Sequence, residues 1–181
     1  MVQPTHPVTL SHEMFHWWNH HGLTGDEAAC FHEGFTEYFG IRIATDTGLI
    51  SDEFAVACSA DLNSEMRYIE EPAPIGLAEA SRASARDEKR SRLTYAKGAL
   101  LALLMERRLN ENGESLDTVM RSLIQSGETN LDNTKLRQAL HEAYDGAVDA
   151  LFDTYVYQAT ALPDLGPPPA TGEPGAAKFL P

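Results

Sequence analysis

His12-Glu13-Met14-Phe15-His16 is the string whose residue types and spacing could do chemistry. On a helix, positions i and i+4 lie on one face, one turn apart. Both imidazoles can therefore reach one metal ion. Glu13 projects about 100° round from His12, which suits a carboxylate acting on a water at the metal and not ligating the ion. This is the HExxH pattern of zinc hydrolases. A catalytic zinc takes three protein ligands and leaves a fourth position to water. The third ligand is to be sought downstream, among His20, His21, Asp26, Glu27, His32, Glu33 and Glu37. His20 continues the stripe of His12 and His16, but it lies about 12 Å along the axis from His12. One ion with bonds of about 2 Å does not easily span that. Asp26 and Glu27 stand at an expected helix start, where the dipole favours carboxylates anyway. Glu33 lies mid-helix on the next expected helix, where an antiparallel neighbour could receive it. Glu37 is one turn later on the same face, a candidate acceptor for an imidazole N–H.

The elements that must position these groups read as helices. No alternating β-branched run and no Asn-Gly hairpin stands in the chain. Met1–Pro7 reads as an extended lead-in, and Val8–His20 as the first helix. Asp26 can cap a second, to about Thr45, closed by Asp46-Thr47-Gly48. Ser51 can cap a third, to about Ile69. Ala78–Arg92 is alanine-rich and charged, a short exposed helix or a connection. Thr94–Leu109 has a broad apolar face supplied by Leu100, Leu101, Leu103, Leu104 and Leu109. Ser115–Gln125, Thr134–Tyr144 and Ala147–Tyr157 follow, with Gly127 and Asp145-Gly146 as stops. The expected fold is all-α, with about seven or eight helices over residues 1–163. Residues 164–181 form a Pro/Gly-rich tail.

The chain has 181 residues, 27 Asp+Glu against 14 Lys+Arg, a net charge of −13 and 43% hydrophobic residues. That is a foldable composition for about one domain. The acidic balance speaks against nucleic acid as a partner, which needs clustered Lys/Arg. The stretch Arg82, Arg86, Lys89, Arg90 and Arg92 contains Asp87 and Glu88 and reads as a solvated helix face. No apolar run approaches the length of a membrane span, and no basic, apolar leader opens the sequence. Cys30 and Cys58 are too few for a disulfide framework and read as buried apolar residues. His20, His21 and His32 read as solvent or loop residues. Trp17 and Trp18 are adjacent, so one is expected in the core and the other at a pocket or surface.

His16-Trp17-Trp18-Asn19, followed by Glu33-Gly34-Phe35-Thr36-Glu37-Tyr38-Phe39, resembles the gluzincin metallopeptidases. The similarity is to their glycyl-aminopeptidase-like, PDZ-bearing branch. There an HExxH-x-W-N helix precedes a helix carrying E-G-F/I-T-x-Y-Y/F. The resemblance implies that Glu33 completes a zinc site with His12 and His16. Glu37 and Asn19 would stand behind the ligands. Glu33 follows His16 by 17 positions, a shorter spacing than the relatives commonly use. Tyr95-Ala96-Lys97-Gly98-Ala99 resembles the family's Y-x-K-G-A motif at a helix start. That implies a Tyr95 hydroxyl donating to the oxyanion of a tetrahedral intermediate. Gly98 would let its helix approach a neighbour closely. Leu151-Phe152-Asp153-Thr154-Tyr155-Val156 and Leu162-Pro163 resemble the F-F-D-x-Y-V…L-P ending of the helical region.

The resemblance implies zinc-dependent hydrolysis of a peptide, aminopeptidase-like, with Glu13 moving the proton. It also implies a sheet before the HExxH helix, which has no counterpart in this sequence. The chain is accordingly expected to be the helical half of such a domain, impaired in its cleft, and either a fragment of a longer protein or a reduced protein. An apolar face is expected to be exposed where the sheet would pack, open to homo-oligomerisation or to further domains. The alternative is a non-catalytic helical binding or structural module that retains the motif.

Overall fold

Local capping chemistry sets most helix ends. In the computed structural model, which describes residues 5–19, 28–127 and 130–165, α1 is Thr5–Asn19. A π-helical turn, Cys30–Phe35, runs directly into α2, Thr36–Asp46. The Ser51 side chain accepts from the Phe54 N–H and opens α3, Asp52–Ile69. Helix α4 is Leu77–Ala83, and α5 is Glu88–Asn110. Helix α6, Asp117–Ser126, ends on left-handed Gly127 at φ 66°. Helix α7, Asn133–Tyr144, ends on left-handed Asp145 at φ 48°. Helix α8, Asp149–Phe152, passes into a second π-helical segment, Asp153–Tyr157. The fold is all-α, with eight α-helices and no strand among the described residues.

Several boundaries differ from the sequence expectation. Helix α1 begins at Thr5, inside the expected lead-in, because Pro7 falls in its first turn, where a missing N–H costs little. Helix α5 begins at Glu88, not Thr94: Asp87 accepts from the backbone N–H groups of Lys89 and Arg90 at 2.9 and 3.2 Å. Tyr95 therefore sits in the second turn of a long helix and not at a helix start. Helix α4 is not an exposed segment, since Leu77, Ala78, Ala80 and Ser81 are buried. Its small side chains let it lie close against α5. The last expected helix, Ala147–Tyr157, is shortened because a turn through Gly146 consumes residues up to Asp149.

Helix α5 is the centre of the molecule, buried along nearly its whole length from Leu93 to Leu109. Helices α2, α3 and α4 and the Cys30–Phe35 turn pack on it. Lys97, fully buried on α5, donates through Nζ to Glu70 Oε1 at 2.6 Å, Ile75 O at 2.6 Å and Thr160 O at 2.8 Å. An ammonium has three donors, and here each has an acceptor. The end of α3 and the C-terminal extended segment are thereby tied to α5 beside Tyr95. Arg42 on α2 reaches both carboxylate oxygens of Asp117, at 3.1 and 3.2 Å, and Glu106 at 3.4 Å. It ties α2 to α5 and α6 through ion pairs shielded from water.

Cys30 is buried and Cys58 half-buried, both as free thiols. Two residues of the basic stretch are paired: Arg90 meets Glu79 at 3.2 Å, and Arg92 meets Glu65. Leu10, Met14 and Trp17 are 57%, 62% and 80% exposed. They form one apolar stripe on α1 at helical spacing. No helix among the described residues is long and apolar enough to cross a membrane. Of the expected tail, residues 166–181 lie outside the described residues.

Candidate metal centre

Helix α1 lies across α2 because Gly40 has no side chain. A Cβ at Gly40 would stand 3.0 Å from His12 N and 3.1 Å from His12 Cα. Phe15 stacks on Phe39 in the same interface, with ring centroids 4.6 Å apart. This packing buries His12 and half-buries His16, one turn apart on one face. Their rings meet edge to face at 4.6 Å. Glu33, in the π-helical turn, places Oε2 3.2 Å from His16 Nε2 and 3.6 Å from His12 Nε2. Glu37, in the first turn of α2, places Oε2 2.8 Å from His12 Nδ1. With Glu37 accepting from Nδ1–H, the Nε2 of His12 is the nitrogen left toward Glu33.

The fourth wall is α5. Gly34 and Gly98 meet where the π-helical turn crosses α5: a Cβ on Gly34 would fall 2.5 Å from Gly98 Cα and 2.6 Å from Thr94 O. Glycine at both positions permits this approach. The crossing brings Tyr95 over the site. Its ring lies nearly parallel to that of His12, at 5.9 Å and 11°.

These contacts set the charges. Burial disfavours ionised Glu33, but the neighbouring His12, His16 and Tyr95 outweigh it and hold its carboxyl well below the usual range. Burial would likewise lower His12, but hydrogen bonds to Glu33 and Glu37 bring it up to about 9. Burial first, then the neighbouring Glu33 carboxylate, pushes the Tyr95 phenol upward, so it keeps its proton as a donor.

Two imidazoles and one carboxylate offer donor atoms that all lie within 4.8 Å of one another. The two His–Glu33 separations bracket the about 3.4 Å edge of a tetrahedron with 2.1 Å bonds. The donor set is therefore one that zinc accepts. Among the described residues, this is the group of His, Cys, Asp or Glu that converges in this way.

The structure brings His12, His16, Glu33, Glu37 and Tyr95 together. Glu13 is exposed beside them on α1. The side chain of Asn19, and His20, His21, Asp26 and Glu27, lie outside the described residues. His32 is not a solvent or loop residue: it is half-buried in the π-helical turn, its ring 6.2 Å from that of Phe31. Packing of the Cys30–Phe35 turn against α5 draws it in. Sequence reasoning missed Gly40, although a glycine inside a helical pattern is itself a signal of close approach. It also missed the π-helical turn, a feature that recurs at functional sites.

Glu37→Ala is expected to weaken zinc binding roughly 10- to 100-fold, the usual cost of losing an outer partner of a histidine ligand. Competition against a chromogenic chelator measures it. An unchanged affinity would show that Glu37 does not hold His12 for a metal. No protein-family model and no curated protein sequence matches the chain.

Proposed function

We propose that this chain is a zinc-dependent peptide hydrolase of the gluzincin kind. The observation that carries the reading is the convergence of His12 Nε2, His16 Nε2 and Glu33 Oε2, with Glu37 behind His12. Zinc bound there would supply Lewis acidity for the scissile carbonyl and bring the pKa of a water toward neutrality. His12, His16 and Glu33 would hold it. Glu37 orients the His12 ring. The exposed Glu13 carboxylate takes a proton from the attacking water and delivers it to the leaving amine nitrogen as the C–N bond breaks. Tyr95 retains a phenolic proton that can meet negative charge developing on the carbonyl oxygen. The substrate class is a peptide, with aminopeptidase-like cleavage suggested by the motif resemblance.

The exposed apolar stripe of Leu10, Met14 and Trp17 on the same helix favours a second reading. In it the chain is a binding or structural module that keeps the metal and does no chemistry.

The test of the site is zinc content after dialysis. One zinc per chain is expected in the wild type, and a large loss in His16→Ala. Wild-type protein that retains no zinc would sink both readings. Hydrolysis of a peptide panel by the zinc-loaded chain then separates the first from the second.

A further inference from the structure

Two stretches without helix meet α5 at one ammonium. Lys97 Nζ donates to Glu70 Oε1 and Ile75 O, both at 2.6 Å, between α3 and α4, and to Thr160 O at 2.8 Å in the extended C-terminal segment. We propose that Lys97 is a positioning residue for the metal centre: it clamps the loop 70–76 and the strap 158–165 onto α5, and α5 sets where Glu33 stands. The inference rests on the metal-site reading above.

The first argument is the cost of the charge. A buried ion pair is weak evidence for stability, because well-packed apolar residues of similar volume often serve as well or better. Lys97 has no exposed surface, and Glu70 is 8% exposed. What an ammonium supplies and a methyl group does not is direction. Its donors are aimed at three acceptors, two of them main-chain carbonyls. It fixes backbone, where an apolar side chain would only fill space.

The second argument is the strap. Leu162 and Leu165 are buried, while Pro163 and Asp164 between them are exposed. Arg107 on α5 donates to Leu165 O, and Arg67 on α3 to Asp164 at 2.8 Å. Gly76 lets the loop and the start of the strap pass backbone to backbone: a Cβ there would stand 3.1 Å from Val156 O and 3.2 Å from Gln158 O. The strap is thus gripped from two helices, and Lys97 is its buried grip.

The third argument is the path to the metal. Gly98, next to Lys97, lies against Gly34, next to Glu33. A Cβ on Gly98 would fall 2.7 Å from Cys30 O and 2.9 Å from Gly34 Cα. Beyond Lys97 the link is main chain as far as Glu33, with no flexible side chain to absorb a shift of α5.

Lys97→Met combined with Glu70→Gln removes both charges together and leaves an acceptor for the Ile75 N–H. Zinc affinity by chelator competition is expected to fall roughly 2- to 30-fold, the range for a residue that acts on a site through packed neighbours. The d–d spectrum of the Co²⁺-loaded protein is expected to shift as Glu33 changes pose. Leu162→Ala, which loosens the strap without touching α5, is expected to move both readouts the same way by less. If Lys97 serves stability alone, the melting temperature of the metal-free variant falls while affinity and spectrum stay as in the wild type. That result overturns the inference and leaves the metal site standing. Should the double variant not fold, Leu162→Ala carries the same two outcomes. Wild-type protein that binds neither ion overturns the metal site itself, and the inference with it.

Discussion

Glu13→Gln is expected to retain one zinc per chain and to lose peptide hydrolysis by about 10²- to 10⁴-fold, the range for removing a positioned general base. Glu13 is exposed on α1 and is not among the converging metal donors. Gln is nearly isosteric, so packing of His12 and His16 should not change. What the amide loses is the capacity to take a proton from water at neutral pH. Zinc content and turnover must therefore separate: the first stays, the second falls. Loss of both would mean that Glu13 holds the site together. Retention of both would remove Glu13 from the mechanism. A zinc-loaded wild type that cleaves no peptide would favour the binding-module reading, because the ligands would then serve structure alone.

Gly34→Ala is expected to destabilise the fold by about 3 kcal/mol, the upper end of overpacking costs. By helix propensity alone, Ala would be favoured by about 1 kcal/mol. The clash decides the sign. The nearest atoms to the added Cβ are Gly98 Cα at 2.5 Å, Thr94 O at 2.6 Å and Gly98 C at 2.7 Å. All three are backbone, so no side chain can swing aside. The π-helical turn and α5 must separate. For a chain of this size, the melting temperature should drop by roughly 6–12 °C. Zinc affinity should fall as well, because the crossing also positions the turn that carries Glu33. Thermal unfolding followed by circular dichroism reads the first effect, and chelator competition the second. A Gly34→Ala protein as stable as the wild type would mean that the two helices do not cross this closely.

Much of the local architecture was legible from short-range chemistry. Ser51 as a cap, Gly127 as a left-handed stop and Asp145-Gly146 as a break are decided by residues within a few positions of one another. The all-α class follows from many such signals and the absence of strand patterning. The start of α5 was missed because its first turns are charged and lack an apolar face. Its cap, Asp87, lies inside the stretch that reads as a solvated connection. The burial of α4 was missed because alanine and serine carry little hydrophobic signal, and only a neighbouring helix reveals that they pack.

At the site, the sequence alone determined that His12 and His16 share a face and that Glu13 does not. Helical periodicity fixes angles around one axis. The choice among seven downstream candidates rested there on resemblance. The tertiary structure brings Glu33 to 3.2 Å from His16 and hands Glu37 to His12. It does so through contacts that periodicity cannot express. Gly40 under His12, Gly34 against Gly98, and Tyr95 over the His12 ring join segments far apart in the chain. A metal site closes only when separate helices cross at a set distance. That distance is governed by which residues at the crossing lack a side chain.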